Sequence, residues 1–258
     1  PNMFRIHVIG VGVGDPAYVT MQAVTAIRDT DVFFEIDKGE TKADLNAARQ
    51  AILDTYADPN SYRIHSIPEA PRHRGEMPPE VYAAEVKRWR DARMDRIAEA
   101  FKETLTEERI GAFLVWGDPS LYDGTLRILD DLIARGLEIE YDVIPGISSL
   151  HALTARHGTL LNRVAGCVTI TTGRRLAQEW PPNCDDVFVM LDSGFAGEKY
   201  TGQNIYVYWG AYLGSEDELL IHGPLDDVAE KIVTTRTQAR HEKGWIMDSY
   251  LLRRGILL

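Results

Sequence analysis

Cysteine is nearly missing from this chain: there are two in 258 residues, Cys167 and Cys184. Two cannot build a disulfide framework, and without paired histidines at ligand spacing they form no metal motif. The expected compartment is therefore a reducing cytoplasm, and no metal is expected. Long apolar runs are also lacking. Nothing approaches the roughly 20 residues needed to cross a bilayer, and Pro1 to Gly10 carries no apolar signal core, so no membrane partner is expected. Basic residues are in deficit, with 28 Lys plus Arg against 39 Asp plus Glu and a net charge of −11. This balance argues against nucleic acid or an anionic lipid surface as a partner, while leaving room for a local basic patch that meets an acidic small molecule. Internal repeats and low-complexity tracts are absent as well.

What is present is a pair of matching turns. Gly14-Asp15-Pro16 closes the run Ile6 to Val13, and Gly117-Asp118-Pro119 closes the run Ala112 to Trp116. A third apolar run ends in Pro145-Gly146-Ile147-Ser148-Ser149. One Gly-Asp-Pro by itself is an ordinary turn. Three glycine turns at strand ends, where α/β sheets bind their ligands, point to one shared site.

Apolar periodicity supplies the frame. Strands are expected at Phe4–Ile9, Val32–Ile36, Tyr62–Ile67, Ile110–Trp116 and Leu137–Ile144. Helices are expected from Thr20, over Leu45–Tyr56, Pro79–Leu105 and Ser120–Arg135, and from Ser148 to His157. This alternation predicts a mostly parallel sheet. After Gly158 strand-like runs dominate, at Val168–Thr171, Val187–Leu191, Ile205–Trp209, Glu218–His222 and Trp245–Leu252, with one long amphipathic helix at Leu225–Thr235. The expected architecture is α/β in two lobes, residues 1–160 with a mostly parallel sheet and residues 161–258 with a mixed one, the boundary falling near 158–166. The Pro68–Pro79 segment is too long for a plain connector and is a candidate lid or substrate contact.

Gly12-Val13-Gly14-Asp15-Pro16-Ala17 satisfies the G-x-G-x-x-A pattern of a dinucleotide site, and Glu35 stands where a ribose-binding acid would. The chemistry of the loop is against it. A pyrophosphate wants bare backbone N–H groups at a helix N-terminus, but Asp15 brings a carboxylate and Pro16 removes a donor. Like charges about 4 Å apart at a partly screened site repel by roughly 4 kcal/mol. A nucleoside-like ligand with a cationic or zwitterionic end fits better, and S-adenosylmethionine has that character. A nicotinamide-dependent oxidoreductase remains the alternative.

Val11-Gly12-Val13-Gly14-Asp15-Pro16 with Thr20, Gly117-Asp118-Pro119-Ser120-Leu121-Tyr122 and Pro145-Gly146-Ile147-Ser148-Ser149, in that order, resemble the motifs of the tetrapyrrole methyltransferase family. Asp37-Lys38-Gly39-Glu40 and the tail Gly244 to Arg254 resemble a deacetylating member of its cobalamin branch, which extends the likeness over nearly the whole chain. The resemblance implies two α/β lobes with S-adenosylmethionine folded into the cleft between them, a tetrapyrrole substrate and a homodimer. Gly14 and Pro16 would belong to the first cofactor loop, and Trp116, Gly117, Asp118 and Leu121 would line the methionine and ribose. Ser148 and Ser149 would approach from the third turn. Leu191 would stand where relatives carry Met, with Met190 beside it, and Tyr212 and Gly223-Pro224 would lie near the adenine.

The implied reaction is methyl transfer to a ring carbon with loss of an acetyl group as acetate; another methyltransferase of the same fold that leaves the acetyl in place is the alternative. The methyl group arrives activated, so alignment is the main task and can contribute up to about 7–11 kcal/mol. Acetate release calls for water and a base, for which Glu35, Asp37, Asp118 and Asp192 are candidates. A polycarboxylate substrate calls for cations, for which Arg72, His73 and Arg74, with Lys38, are candidates. His7 reads as a satisfied core residue, Arg253 and Arg254 as strand-edge or dimer contacts, and the cysteines as small apolar side chains.

Overall fold

The computed structural model describes residues 3–37, 43–73 and 75–255. It divides into two compact units, Pro1–Gly146 and Ile147–Leu258. The division falls earlier than the 158–166 expected from sequence texture. The helix Ser149–His157 is the reason, because it packs its Leu150, Ala152 and Leu153 against strands of the second unit.

The first unit contains β1 (Phe4–Gly10), α1 (Met21–Asp29), β2 (Val32–Asp37), α2 (Ala43–Tyr56), β3 (Arg63–Pro68), α3 (Pro79–Thr104), β4 (Ile110–Val115), α4 (Thr125–Ala134) and β5 (Ile139–Ile144). Its five strands run parallel in the order β3-β2-β4-β1-β5. Side chains alternate across β1. Ile6 and Val8 join the α3–α4 core with Phe34, Phe101 and Leu129, while Ile9 joins Ile27, Ile52 and Leu53 on the other face. Thr20 caps α1 as its sequence suggests, its hydroxyl accepting from Ala23 N at 3.0 Å. Helix α4 starts at Thr125 and not at Ser120, because Asp118 accepts the Ser120 amide at 2.9 Å and Asp123 caps the Thr125 amide at 2.8 Å.

His7 differs from a plain core residue. Its ring is clasped between Asp142 at 2.5 Å and Asp29 at 2.8 Å. Burial draws its pKa down, but hydrogen bonds to the two carboxylates more than offset this and the value is raised above the ordinary 6.5. A raised folded-state value stabilises fully below the unfolded pKa and is lost as pH rises through the folded one. Melting temperatures of the wild type and of His7→Gln should therefore differ most at about pH 5 and converge toward about pH 9. A constant gap across that range would assign His7 a packing role alone.

The second unit contains α5 (Ser149–His157), β6 (Val168–Thr172), α6 (Gly173–Gln178), β7 (Asp186–Met190), β8 (Ile205–Ala211), β9 (Leu219–Pro224), α7 (Leu225–Lys243) and β10 (Asp248–Arg254). The strand order is β6-β7-β10-β8-β9, with only the β6–β7 pair parallel. The mixed sheet is the one expected, and α7 runs eight residues further than its amphipathic stretch. The tail strand β10 is central and buries Tyr250, Leu251 and Leu252. Arg253 is accordingly not an edge residue: it is buried and bonds Asp186 at 2.9 Å. Arg254 lies over the Trp180 ring at 4.4 Å. Cys167 and Cys184 are both free thiols.

Candidate active site

Strands β4, β1 and β5 are neighbours, so their carboxyl ends bring the three glycine turns together. Gly12 and Gly117 form a small antiparallel bridge, with Gly117 N donating to Gly12 O at 2.7 Å. A Cβ on Gly10 would stand 2.6 Å from Gly146 N, and one on Gly146 would stand 2.1 Å from Gly117 O. The glycines are thus required by backbone packing on backbone. Asp118 clips the junction: one oxygen accepts the Gly146 amide at 2.9 Å, and the other accepts the Ser120 amide and hydroxyl. Although burial works against ionisation, these hydrogen bonds hold its pKa below the usual carboxylate value. Both oxygens of Asp118 are thus engaged in holding the junction together.

Asp15 caps the 3₁₀ turn Pro16–Tyr18 by accepting from Ala17 N at 2.9 Å, and α1 begins only at Met21. The first turn therefore offers a carboxylate where a dinucleotide loop offers amides. Among the described residues no Lys or Arg pairs with Asp15 or Asp118. A positively charged ligand suits such a rim. Ser148 is the N-cap of α5 and is buried, and the Ser149 hydroxyl is shut off from solvent without a hydrogen-bond partner. An orphaned hydroxyl directly after the third turn suits a polar ligand atom.

Glu35 and Asp37 line a cavity of about 310 Å³ between the carboxyl halves of β2 and β4, and Trp116, directly before Gly117, lines it too and joins it to the second turn. Of the four acids proposed from sequence, only Glu35 and Asp37 line it. Asp192 follows β7 in the second unit and is committed to structure, accepting from Tyr250 Oη at 2.5 Å and Ala196 N at 2.8 Å. Arg72 is drawn onto α3, donating to Tyr82 Oη at 3.1 Å and lying over the Trp89 ring at 5.2 Å. His73 is exposed beside it. Lys38 and Arg74 lie outside the described residues. Leu121 follows the second turn, its amide donating to Asp118 O at 3.2 Å.

In the second unit Leu191 and Tyr212 each directly follow a strand and adopt positive φ, 52° and 51°. Such strain in bulky residues concentrates at functional sites. Leu191 is also 64% exposed, beside half-buried Met190. Tyr212 is instead buried, its hydroxyl donating to Trp245 O at 2.7 Å. Gly223 and Pro224 do not join them. β9 runs antiparallel to β8, so Pro224 pairs with Tyr206 at the start of β8 while Leu219 pairs with Ala211 at its end. At about 3.4 Å per residue, that register places the Gly223-Pro224 turn at the opposite end of the sheet, correcting its expected place near Tyr212. Two further residues stand out: Tyr122, which the sequence placed in the second motif without a role, and Arg49, which it did not single out. Tyr122, after the second turn, is exposed with φ 52°, and Arg49 lines the β2–β4 cavity.

The model of the tetrapyrrole (corrin/porphyrin) methylases matches residues 5–229. The chain belongs to this family. Within it, the chain is 43% identical over 256 residues to a precorrin-6A synthase [deacetylating] of Sinorhizobium sp, covering 98% of this chain and 97% of the relative. A solved cobalamin-synthesis-related protein, CobF, of Corynebacterium diphtheriae superposes with a TM-score of 0.85 at 36% identity, covering 98% of this chain and 99% of that one. Uroporphyrin-III C-methyltransferase of Thermus thermophilus, solved with S-adenosylhomocysteine, shares the fold with a TM-score of 0.56 at 16% identity, covering 96% of this chain and 97% of that one. No described helix is long and apolar enough to cross a membrane.

Proposed function

We propose that this chain is an S-adenosylmethionine-dependent C-methyltransferase of cobalamin biosynthesis that converts precorrin-5 to precorrin-6A with release of acetate, acting in the cytoplasm as a homodimer. The observation that carries the reading is the 43% identity, end to end, with a deacetylating precorrin-6A synthase. A rim that presents Asp15 and Asp118 without a paired cation supports a cationic donor over a dinucleotide.

When bound, the donor supplies an electrophilic methyl group. The contribution of the chain is position. Gly14 and Pro16 shape the first loop, Trp116, Gly117, Asp118 and Leu121 form the second, and Ser148 and Ser149 supply hydroxyls after the third. Met190, Leu191 and Tyr212 remain proposed contacts on the second unit. Glu35 or Asp37 is proposed to take the proton of the water whose oxygen ends in acetate, the electron pair of the broken acetyl bond returning to the macrocycle. Arg72 and His73 are proposed to meet substrate carboxylates.

Incubation with precorrin-5 and methyl-labelled donor should yield labelled product and free acetate in equal amounts. Labelled product that keeps its acetyl group would reassign the chain to another methyltransferase of the same fold. Calorimetry should detect S-adenosylhomocysteine binding and no NADH binding; the reverse would overturn the proposal in favour of an oxidoreductase.

A further inference from the structure

The central strand β4 and its neighbour β2 pair at only two positions, Val32 with Gly111 and Phe33 with Ala112. Beyond them the strands diverge, and the opening is the 310 Å³ cavity. Its wall includes Glu35, Arg49, Ser66, Arg93, Trp116 and Asp123, from β2, α2, β3, α3, the end of β4 and the turn before α4. The volume is at the low end for small-molecule sites. It admits a side chain and not a macrocycle.

Arg49 is the anomaly in this wall. Arg49 is half-buried, and the two fully buried arginines among the described residues are both matched: Arg236 bonds Asp248 at 3.0 Å, and Arg253 bonds Asp186 at 2.9 Å. The Arg49 guanidinium has five N–H groups to satisfy. One reaches Asn46 Oδ1, at 3.5 Å, the limit of a hydrogen bond. Its Nε is closed off from solvent and has no partner. Glu35 and Asp123 act on it through space, without a bond from either among the described residues, and burial lowers its pKa despite them. The wall also carries the carboxylates Glu35, Asp37 and Asp123, but none of them is hydrogen-bonded to Arg49 among the described residues, so the guanidinium keeps N–H donors without an acceptor.

We propose that the β2–β4 cavity is a subsite for one carboxylate-bearing side chain of the tetrapyrrole, received by Arg49. This rests on the function proposed above. A carboxylate supplies the planar acceptor pair that a guanidinium fork takes bidentately. Lysine in its place would keep the charge and lose the fork. The macrocycle would then lie outside the opening with one arm inserted, which fixes the rotation of the ring and so decides which ring carbon is presented. Glu35, on the same wall, would stand beside that arm.

The test uses the full chain with hydrogenobyrinic acid, a stable corrin polycarboxylate, its methyl ester, and S-adenosylhomocysteine as separate probes in calorimetry. The wild type should bind the acid more tightly than the ester. Arg49→Met should weaken binding of the acid by about 10- to 100-fold, narrow its lead over the ester by the same factor, and leave S-adenosylhomocysteine affinity unchanged. Arg49→Lys should recover part of the loss, and in turnover the KM for precorrin-5 should rise more than kcat falls. Equal binding of acid and ester by the wild type, or an Arg49→Met chain that binds the acid as the wild type does, would overturn the subsite. Should the methionine variant fail to fold, the acid-to-ester ratio in the wild type and the lysine variant still decides. A wild type that does not bind S-adenosylhomocysteine would instead overturn the methyltransferase reading, a separate outcome.

Discussion

Gly146→Ala is expected to destabilise the chain by at least about 3 kcal/mol and to lower S-adenosylhomocysteine affinity at least tenfold. The added methyl would be placed 2.1 Å from Gly117 O and 2.8 Å from Gly10 C. Both neighbours are backbone, so no side-chain rotation relieves the clash. Gly117 is itself pinned, its amide on Gly12 O at 2.7 Å and its carbonyl accepting from Gly12 N at 3.3 Å. Relief requires β5 to retreat from β1 and β4, which breaks the Gly146 amide bond to Asp118 and separates the three turns at their meeting point. Gly194→Ala is the matched control, since a Cβ there meets nothing within 4 Å. Urea denaturation and calorimetry of both variants make the comparison. A Gly146→Ala chain within about 1 kcal/mol of wild type would show that the turns are not packed as described.

The turns themselves were legible because each combines an apolar run with a residue set that can only end it. Thr20 announced the start of α1 in the same way, by its side-chain oxygen. The mixed second sheet was legible from closely spaced strand runs with little helix between them. What sequence did not carry were facts fixed by partners distant along the chain. Asp118 looked like a free turn acid because its acceptor role depends on Gly146, 28 residues on. Gly223-Pro224 is a glycine turn at a strand end like those of the candidate site, and only the antiparallel register of β9 removes it from the Tyr212 end of the sheet. Arg49, between Ala48 and Gln50 on a helix, reads as a solvated charge. Its half-burial follows from the divergence of β2 and β4, a property of the sheet and not of any local pattern. Arg253 and Arg254 read as strand-edge or dimer contacts, although one is buried and the other is half-buried.

Arg253 supports the other large expectation: Asp186→Asn should cost about 3–5 kcal/mol. Asp186 is 1% exposed and Arg253 is 2% exposed, so neither can turn to water when its partner changes. The Asp186 carboxylate serves two cations, Arg253 Nε at 2.9 Å and Arg163 Nε at 3.4 Å, and also accepts the Arg163 amide at 3.4 Å. Arg253 in turn reaches Thr159 Oγ1 at 3.1 Å and the Leu160 carbonyl, which fastens the segment after α5 to the central strand β10. Asparagine has nearly the same shape, so packing is held constant while the charge of Arg253 is left buried and unmatched. That asymmetry distinguishes the cost of an unpaired charge from the worth of the pair. If the cost is the unpaired charge, Asp186→Leu combined with Arg253→Met should recover most of the loss, because a buried ion pair and a well-packed apolar pair are often close in stability. Urea denaturation of these variants, with Asp186→Leu and Arg253→Met as singles to close the cycle, gives the coupling directly. The first-unit turns are untouched by either change, so donor-product affinity measured on the folded variants should stay at the wild-type value. A single variant that loses less than about 1 kcal/mol, or a double variant no more stable than the single, would mean that water reaches Arg253 and that the second unit does not depend on this pair.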